Sequence, residues 1–215
     1  MGFTIGGIRE MRPGSRRRGR AAGATTVAEY TGLRGWAVAP GARAASGACS
    51  CGDAAWPAPG AHPLRFAPEV PAGASLEAAA AAWARVPGAA ILLPVGRAFD
   101  VLDVAEAAGR RALARMERMG LPLGPVTVTP TGRTQFFVAP GAAAGLPGLL
   151  YRMGWDGAAL DLRALGPGSY VTAPPSDLAG LGPVRWLRAP VPDTAAAPPQ
   201  ARLLLGTLAY ICHRW

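Results

Sequence analysis

The segment Gly96–Gly109, "GRAFDVLDVAEAAG", decides how the rest of the chain is read. Its first half, "AFDVLDVA" (98–105), is a continuous apolar run interrupted by Asp100 and Asp103, short enough for a buried strand. Side chains on a strand alternate faces, so residues two apart share a face and residues three apart do not. Asp100 and Asp103 therefore point to opposite sides. A carboxylate pair built to share a metal needs D-x-D spacing, which here requires an acid at Val101 or Ala105, and neither position has one. The second half changes period: Ala105, Ala108, Ala112, Met116 and Met119 form one face of a helix over 105–119, four arginines fill the rest, and Gly120 supplies the stop.

Working outward, "AAILLPVG" (89–96) reads as a buried strand, and Ser75 as the N-cap of a helix "LEAAAAAWARV" (76–86) with Glu77 at its positive end. Upstream, Thr25 or Thr26 is a candidate N-cap for a helical start with Val27, Tyr30 and Leu33 at helical spacing, followed by a short strand in "GWAVAP" (35–40). Downstream, "PVTVTP" (125–130) and "TQFFVAP" (134–140) flank "TGR", the pattern of a hairpin with a glycine turn. A Gly/Ala/Pro stretch then reads as a loop. "GAALDLRALGPGSYVTAPPS" (157–176) gives a second strand pair around "GPG", with Asp161 inside the first strand and alternating onto the face of Arg163. Residues 201–213 form a closing apolar helix. Strands and helices without a regular βαβ repeat indicate an α+β fold, a mixed and largely antiparallel sheet flanked by helices.

The chain has 215 residues, half of them hydrophobic, enough for one domain (25–215) behind a basic tail at 1–24. Of the net charge of +9, +5 lies in residues 1–20, and there is no lysine. Such a tail attracts phosphate in a salt-sensitive way or simply solvates the chain. The absence of lysine excludes a Walker A phosphate loop. Three cysteines make no disulfide framework and point to a reducing cytoplasm. No apolar run is long enough to span a membrane, and Arg16–Arg18 are not followed by the apolar core of an export signal. By residue chemistry alone, Asp161 either pairs with Arg163 or another arginine, or faces a metal.

Taken in order, "RGWAVAP" (34–40), "CSCGDAAWPAPGAHP" (49–63), "GRAFDVLDV" (96–104), "TPTGRTQFFV" (129–138) and "LDLRALGPGSYVTAPPS" (160–176) resemble the bifunctional DNA primase/polymerase (Prim-Pol) domain of the archaeo-eukaryotic primase superfamily, over roughly residues 25–190. The resemblance implies D-x-D or D-x-E on one strand, a histidine after a T-P-S-G-G-like turn, and a third aspartate in an "IDxR" strand. Together these hold two divalent cations, Mg²⁺ or Mn²⁺, that align a primer hydroxyl with a nucleoside triphosphate. By position Asp103 matches the first acid and Asp161 the third, Arg163 matches the neighbouring arginine, and Thr131, Gly132 and Arg133 match the turn. Ala105 stands where the second acid belongs and Gln135 where the histidine belongs. Each loss costs on the order of a hundredfold or more in rate, although glutamine still donates a neutral hydrogen bond. Glu106 substitutes only by swinging in, and a helix start turns that residue away.

The resemblance also implies a zinc site in the loop at 49–62, where Cys49, Cys51 and His62 match and Trp56 stands in place of a third cysteine. Asp53 completes such a site, or the loop is metal-free with Trp56 as a plug. The expected function is a divergent Prim-Pol domain with impaired nucleotidyl transfer that still binds nucleotide or nucleic acid. The alternatives are an active primase/polymerase using Asp103 and Asp161, and a non-catalytic structural or regulatory interaction protein.

Overall fold

The computed structural model describes residues 23–45, 48–52, 60 and 62–213. Residues 1–22 of the expected tail, together with Asp53 and Trp56, lie outside them. The decisive segment folds as read: β5 (Asp100–Ala105) runs straight into α3 (Glu106–Arg118). Before it come α1 (helical residues 23–28 continuing into a π-helical turn, Glu29–Leu33), β1 (Ala39–Gly41), β2 (Ala44–Ala45), β3 (Ala48–Cys49), α2 (Leu76–Arg85) and β4 (Ala90–Pro94). After it come β6 (Val126–Val128), β7 (Arg133–Val138), α4 (Ala142–Arg152), β8 (Leu162–Leu165), β9 (Tyr170–Thr172), β10 (Arg185–Arg188), α5 (Pro192–Ala196) and α6 (Ala201–His213). The pairings are antiparallel throughout, and the fold is α+β.

β5 is paired on both edges, by β7 and β8, in a five-stranded sheet of order β10-β6-β7-β5-β8. Because it is covered on both faces, its period-2 alternation sorts side chains into two environments. Leu102 and Val104, with Phe136 and Val138 of β7, join a core built with Ala108, Ala112 and Met116 of α3 and Leu204 and Leu208 of α6. On the opposite face Val101 and Phe137 meet Ile91 and Leu93 of β4, Val171 of β9 and Trp83 of α2. An aromatic cluster closes this second core: Trp36 stacks on Phe137 with ring centroids 5.6 Å apart, and Phe99 sits 4.6 Å from Phe137. The buried indole N–H of Trp36 donates to the Ala195 carbonyl and the Tyr30 hydroxyl to that of Pro174, which tie the N-terminal segment to the far end of the chain. Burial pushes the Tyr30 hydroxyl up to about 12.

Several local expectations hold. Ser75 Oγ accepts the Ala78 amide at 3.2 Å and caps α2. Gly120, at φ 65°, ends α3, with its own N–H bonded to the Glu117 carbonyl and that of Leu121 to Met116. On α3, Gly109 packs against Thr134 of β7, where a Cβ would overlap the threonine side chain. Met119 is exposed, and Leu113 takes its place in the buried face.

Other expectations are corrected. Thr25 and Thr26 lie inside α1 and do not cap it. The segment after β7, read as a loop, is α4, whose start is held by Asp100: its Oδ2 accepts the Ala143 amide at 2.8 Å. β8 and β9 do not pair with each other. β4 is buried along its whole length and needs partners on both edges to satisfy its backbone, so β9 pairs with it opposite β1, while β8 pairs with β5. The "GPG" turn thus carries the chain between sheets. Asp161 lies one residue before β8 rather than within it. Among the described residues no helix is long and apolar enough to cross a membrane.

Candidate functional site

The face of β5 that carries Val101 into the aromatic core carries Asp103 and Ala105 beyond it. In register, Asp103 lies between Gln135 of β7 and Arg163 of β8, and Ala105 lies opposite Arg133. Three strands therefore place a buried carboxylate, an amide and two guanidinium groups on one patch. Asp103 is fully buried, and a bare charge there carries a large desolvation cost unless it is paired and hydrogen-bonded. It is both. Its Oδ1 accepts from Arg133 Nε at 2.7 Å and from Arg163 Nε at 3.1 Å, and its Oδ2 accepts from Gln135 Nε2 at 3.1 Å. Thr127 of β6 donates its hydroxyl to Gln135 Oε1 at 3.1 Å, which keeps the amide turned with its NH₂ toward Asp103.

Asp161 joins through the same arginine. Arg133 Nη1 donates to both Asp161 oxygens, at 2.8 and 2.7 Å, and Nη2 to the Asp103 backbone carbonyl at 3.3 Å. The side chains of Arg133 and Asp161 are 20% and 58% exposed, so the bridge runs from the sheet interior to solvent. The hydrogen-bonded Arg133 guanidinium holds the Asp161 carboxyl below the usual carboxylate range, and Asp161 in turn raises Arg133. The geometry brings together Asp103, Asp161, Arg133, Gln135 and Arg163. Thr131 and Gly132 occupy the adjoining turn, where the Thr131 and Thr129 hydroxyls bond at 2.8 Å and the Gly132 carbonyl accepts the first amide of α3. Glu106 points elsewhere, accepting from Arg110 Nε at 2.8 Å. Asp161 pairs with an arginine, and the partner is Arg133 rather than Arg163. Two participants were missed in the sequence: Arg133 as a bridge and Thr127 as the support of Gln135. The alternation that puts Ala105 on the Asp103 face also puts Arg133 there, once the hairpin register is set.

The family model for the bifunctional DNA primase/polymerase N-terminal domain, Prim-Pol, matches residues 27–201. The chain belongs to the Prim-Pol family. Neither the curated proteins nor the solved structures contain a match to it. Membership supports a function of the primase/polymerase type, with nucleic acid and nucleotides as partners, in a family that is typically metal-dependent. The carboxylate site of this Prim-Pol domain does not fit a divalent cation in that role. Mg²⁺ takes oxygen ligands at about 2.0–2.1 Å, but all four side-chain oxygens of Asp103 and Asp161 accept hydrogen bonds from Arg133, Arg163 and Gln135. Two carboxylates face two guanidinium groups, and the set is formally neutral.

A second cluster does fit a metal. Where the β2–β3 hairpin ends, one ligand atom each of Cys49, Cys51 and His62 lies within 4.8 Å of the others. Cys49 Sγ is 3.2 Å from His62 Nε2, and the other ring nitrogen, Nδ1, is 3.1 Å from the Pro63 carbonyl, an outer partner that orients the ring with Nε2 inward. Burial acts to raise the Cys49 thiol. The backbone N–H groups of Cys51 and Gly60, with the Cys51 and His62 side chains, outweigh it and bring Cys49 down to about 6. Cys212, in α6, is pushed up to about 11 by burial and by the charge of Asp161. At pH 7, in metal-free protein, Cys49 is mostly thiolate and is alkylated by iodoacetamide well before Cys212. Its rate falls as the pH drops through 6, as site-resolved mass spectrometry will record; equal labelling of the two thiols contradicts this.

Proposed function

We propose that this Prim-Pol domain binds nucleoside triphosphate or nucleic acid at the edge of the five-stranded sheet and carries out nucleotidyl transfer with greatly reduced efficiency. The observation that carries this reading is the saturated Asp103 carboxylate, flanked on its own face by Ala105. Phosphoryl transfer depends on cations that neutralise charge at the attacking and leaving oxygens. A carboxylate already committed to two arginines and an amide is poorly placed to hold them. What this chain's residues offer instead is a fixed set of donors. Arg163, 63% exposed and engaged only through Nε, is suited with the adjoining turn at Thr131 to phosphate oxygens, which guanidinium forks bind in a bidentate manner. In this reading Gln135 orients Asp103 and moves no proton.

The Cys49, Cys51 and His62 cluster is assigned to zinc, whose preference for thiolate and imidazole matches the donor set. Its role is to hold Cys49 and Cys51 against His62.

The test is a primer-extension assay on primed and unprimed single strands with Mn²⁺ and all four nucleotides, run beside titrations with a labelled triphosphate and with oligonucleotides at low salt. The expected result is measurable binding without extension that depends on Asp103. Robust product abolished by Asp103→Ala establishes the active reading instead. Absence of binding to either ligand leaves a structural or regulatory interaction role.

A further inference from the structure

We propose that Arg133 is the resident cation of the carboxylate site: its guanidinium takes the place between Asp103 and Asp161 that a divalent metal ion requires, and its removal creates a metal site. The proposal rests on the Prim-Pol reading only in treating these two acids as a cation-binding pair. Arg133 sits directly across the ladder from Ala105, so a long cationic side chain reaches into the space beside the small residue on β5. Its Nε faces Asp103 at 2.7 Å while its Nη1 faces Asp161 at 2.7 Å, spanning acids from two different elements. No other described residue contacts both carboxylates through hydrogen bonds.

Arginine suits this role for two reasons. Its charge is not lost at any physiological pH, and the neighbouring acids raise it further. A guanidinium also presents several donors in one plane, so one side chain satisfies two carboxylates and a backbone carbonyl together. A metal ion entering with Arg133 in place would meet a neutral site whose oxygens are taken. Without Arg133, Asp103 keeps Arg163 and Gln135, Asp161 keeps the Ala105 backbone N–H and the nearby charge of Arg163, and the site carries net negative charge with acceptor positions released on both carboxylates.

The experiment is Mn²⁺ titration of the full chain, followed by electron paramagnetic resonance. Mn²⁺ prefers carboxylate oxygen to thiolate, which keeps the cysteine cluster out of the readout. Wild type, Arg133→Ala and Arg133→Ala/Asp161→Asn are compared, with folding checked by circular dichroism. The expected result is one carboxylate-dependent Mn²⁺ site in Arg133→Ala, about tenfold tighter or more than any Mn²⁺ binding by wild type, that is lost in the double variant. Arg133→Gln serves in the same way if the alanine variant does not fold. Stoichiometric Mn²⁺ binding by wild type that disappears in Asp161→Asn overturns the proposal, and so does a folded Arg133 variant that gains no site. These outcomes are separable from those of the functional reading. A wild type that binds Mn²⁺ yet extends no primer defeats this inference alone, and a variant that gains Mn²⁺ in a protein that binds no triphosphate defeats the functional reading alone.

Discussion

Replacing Asp103 with alanine lowers the unfolding free energy by about 3 kcal/mol or more, in line with the loss of one partner from a buried ion pair. The cost comes less from the bonds lost than from the groups left behind. Asp103 is the common acceptor of Arg133, Arg163 and Gln135, and only Arg163 is solvated enough to recover hydration freely. Arg133 Nε and the Gln135 amide remain largely buried with no acceptor, a desolvation cost of about 1–3 kcal/mol for each group so stranded. Asp103→Asn keeps the shape but turns part of the acceptor into a donor facing other donors, so it falls between alanine and wild type. Asp161→Ala changes stability by less than about 1 kcal/mol, because that carboxylate is mostly exposed and its pairing is screened by water. Urea unfolding of the three variants checks the order, and an Asp161 effect as large as that of Asp103 contradicts the burial argument.

Phe137→Ala costs about 3–5 kcal/mol, the range for truncating a large buried aromatic. Phe137 is buried at the centre of the cluster, with the rings of Trp36, Phe99 and Trp186 at centroid distances of 5.6, 4.6 and 5.7 Å. Its removal opens a cavity between the two sheets whose walls belong to β5 and β10 and to residues 36 and 99, parts of the chain that cannot all close in. The near-ultraviolet circular dichroism from Trp36 and Trp186 diminishes with the loss of stability. Thermal and urea unfolding measure the cost, and a change below about 1 kcal/mol indicates that the two sheets do not share this core.

The parts of the site that were legible in sequence are those governed by period 2. "FDVLDVA" separates Asp100 from Asp103 and pairs Asp103 with Ala105 on one face, and the hairpin around "TGR" sets Gln135 opposite Thr127; the pairing of β7 with β5, which sets Gln135 beside Asp103, is a long-range contact. The Prim-Pol motifs pointed to the same set of residues. Arg133 was read as a turn residue because the motif aligns it with a glycine-like position, and sequence separation hides how far a guanidinium reaches. Its two partners lie 30 and 28 residues away, one on β5 and one just before β8. Compositional bias hid other features. Gly145, Pro147 and Gly148 make α4 look like a loop, yet the helix is anchored at its start by Asp100, a contact made from 43 residues away. β10, "RWLR", carries two arginines in four residues and alternates only weakly, as an edge strand can when one side faces solvent. The "GPG" turn looked like a hairpin because both flanking segments have strand character; which sheet each joins depends on the unpaired edges of β4 and β5, elements far upstream.

The link between Asp103 and Arg133 is tested most directly by a double-mutant cycle on the full chain, with Asp103→Asn and Arg133→Gln alone and combined, followed by urea unfolding. A coupling of about 2 kcal/mol is predicted, since each single change strands the group the other residue had paired and the second change then adds little. Additive effects, with coupling near zero, would mean that the guanidinium does not hold the Asp103 carboxylate in solution, and the internally neutralised site would have to be abandoned.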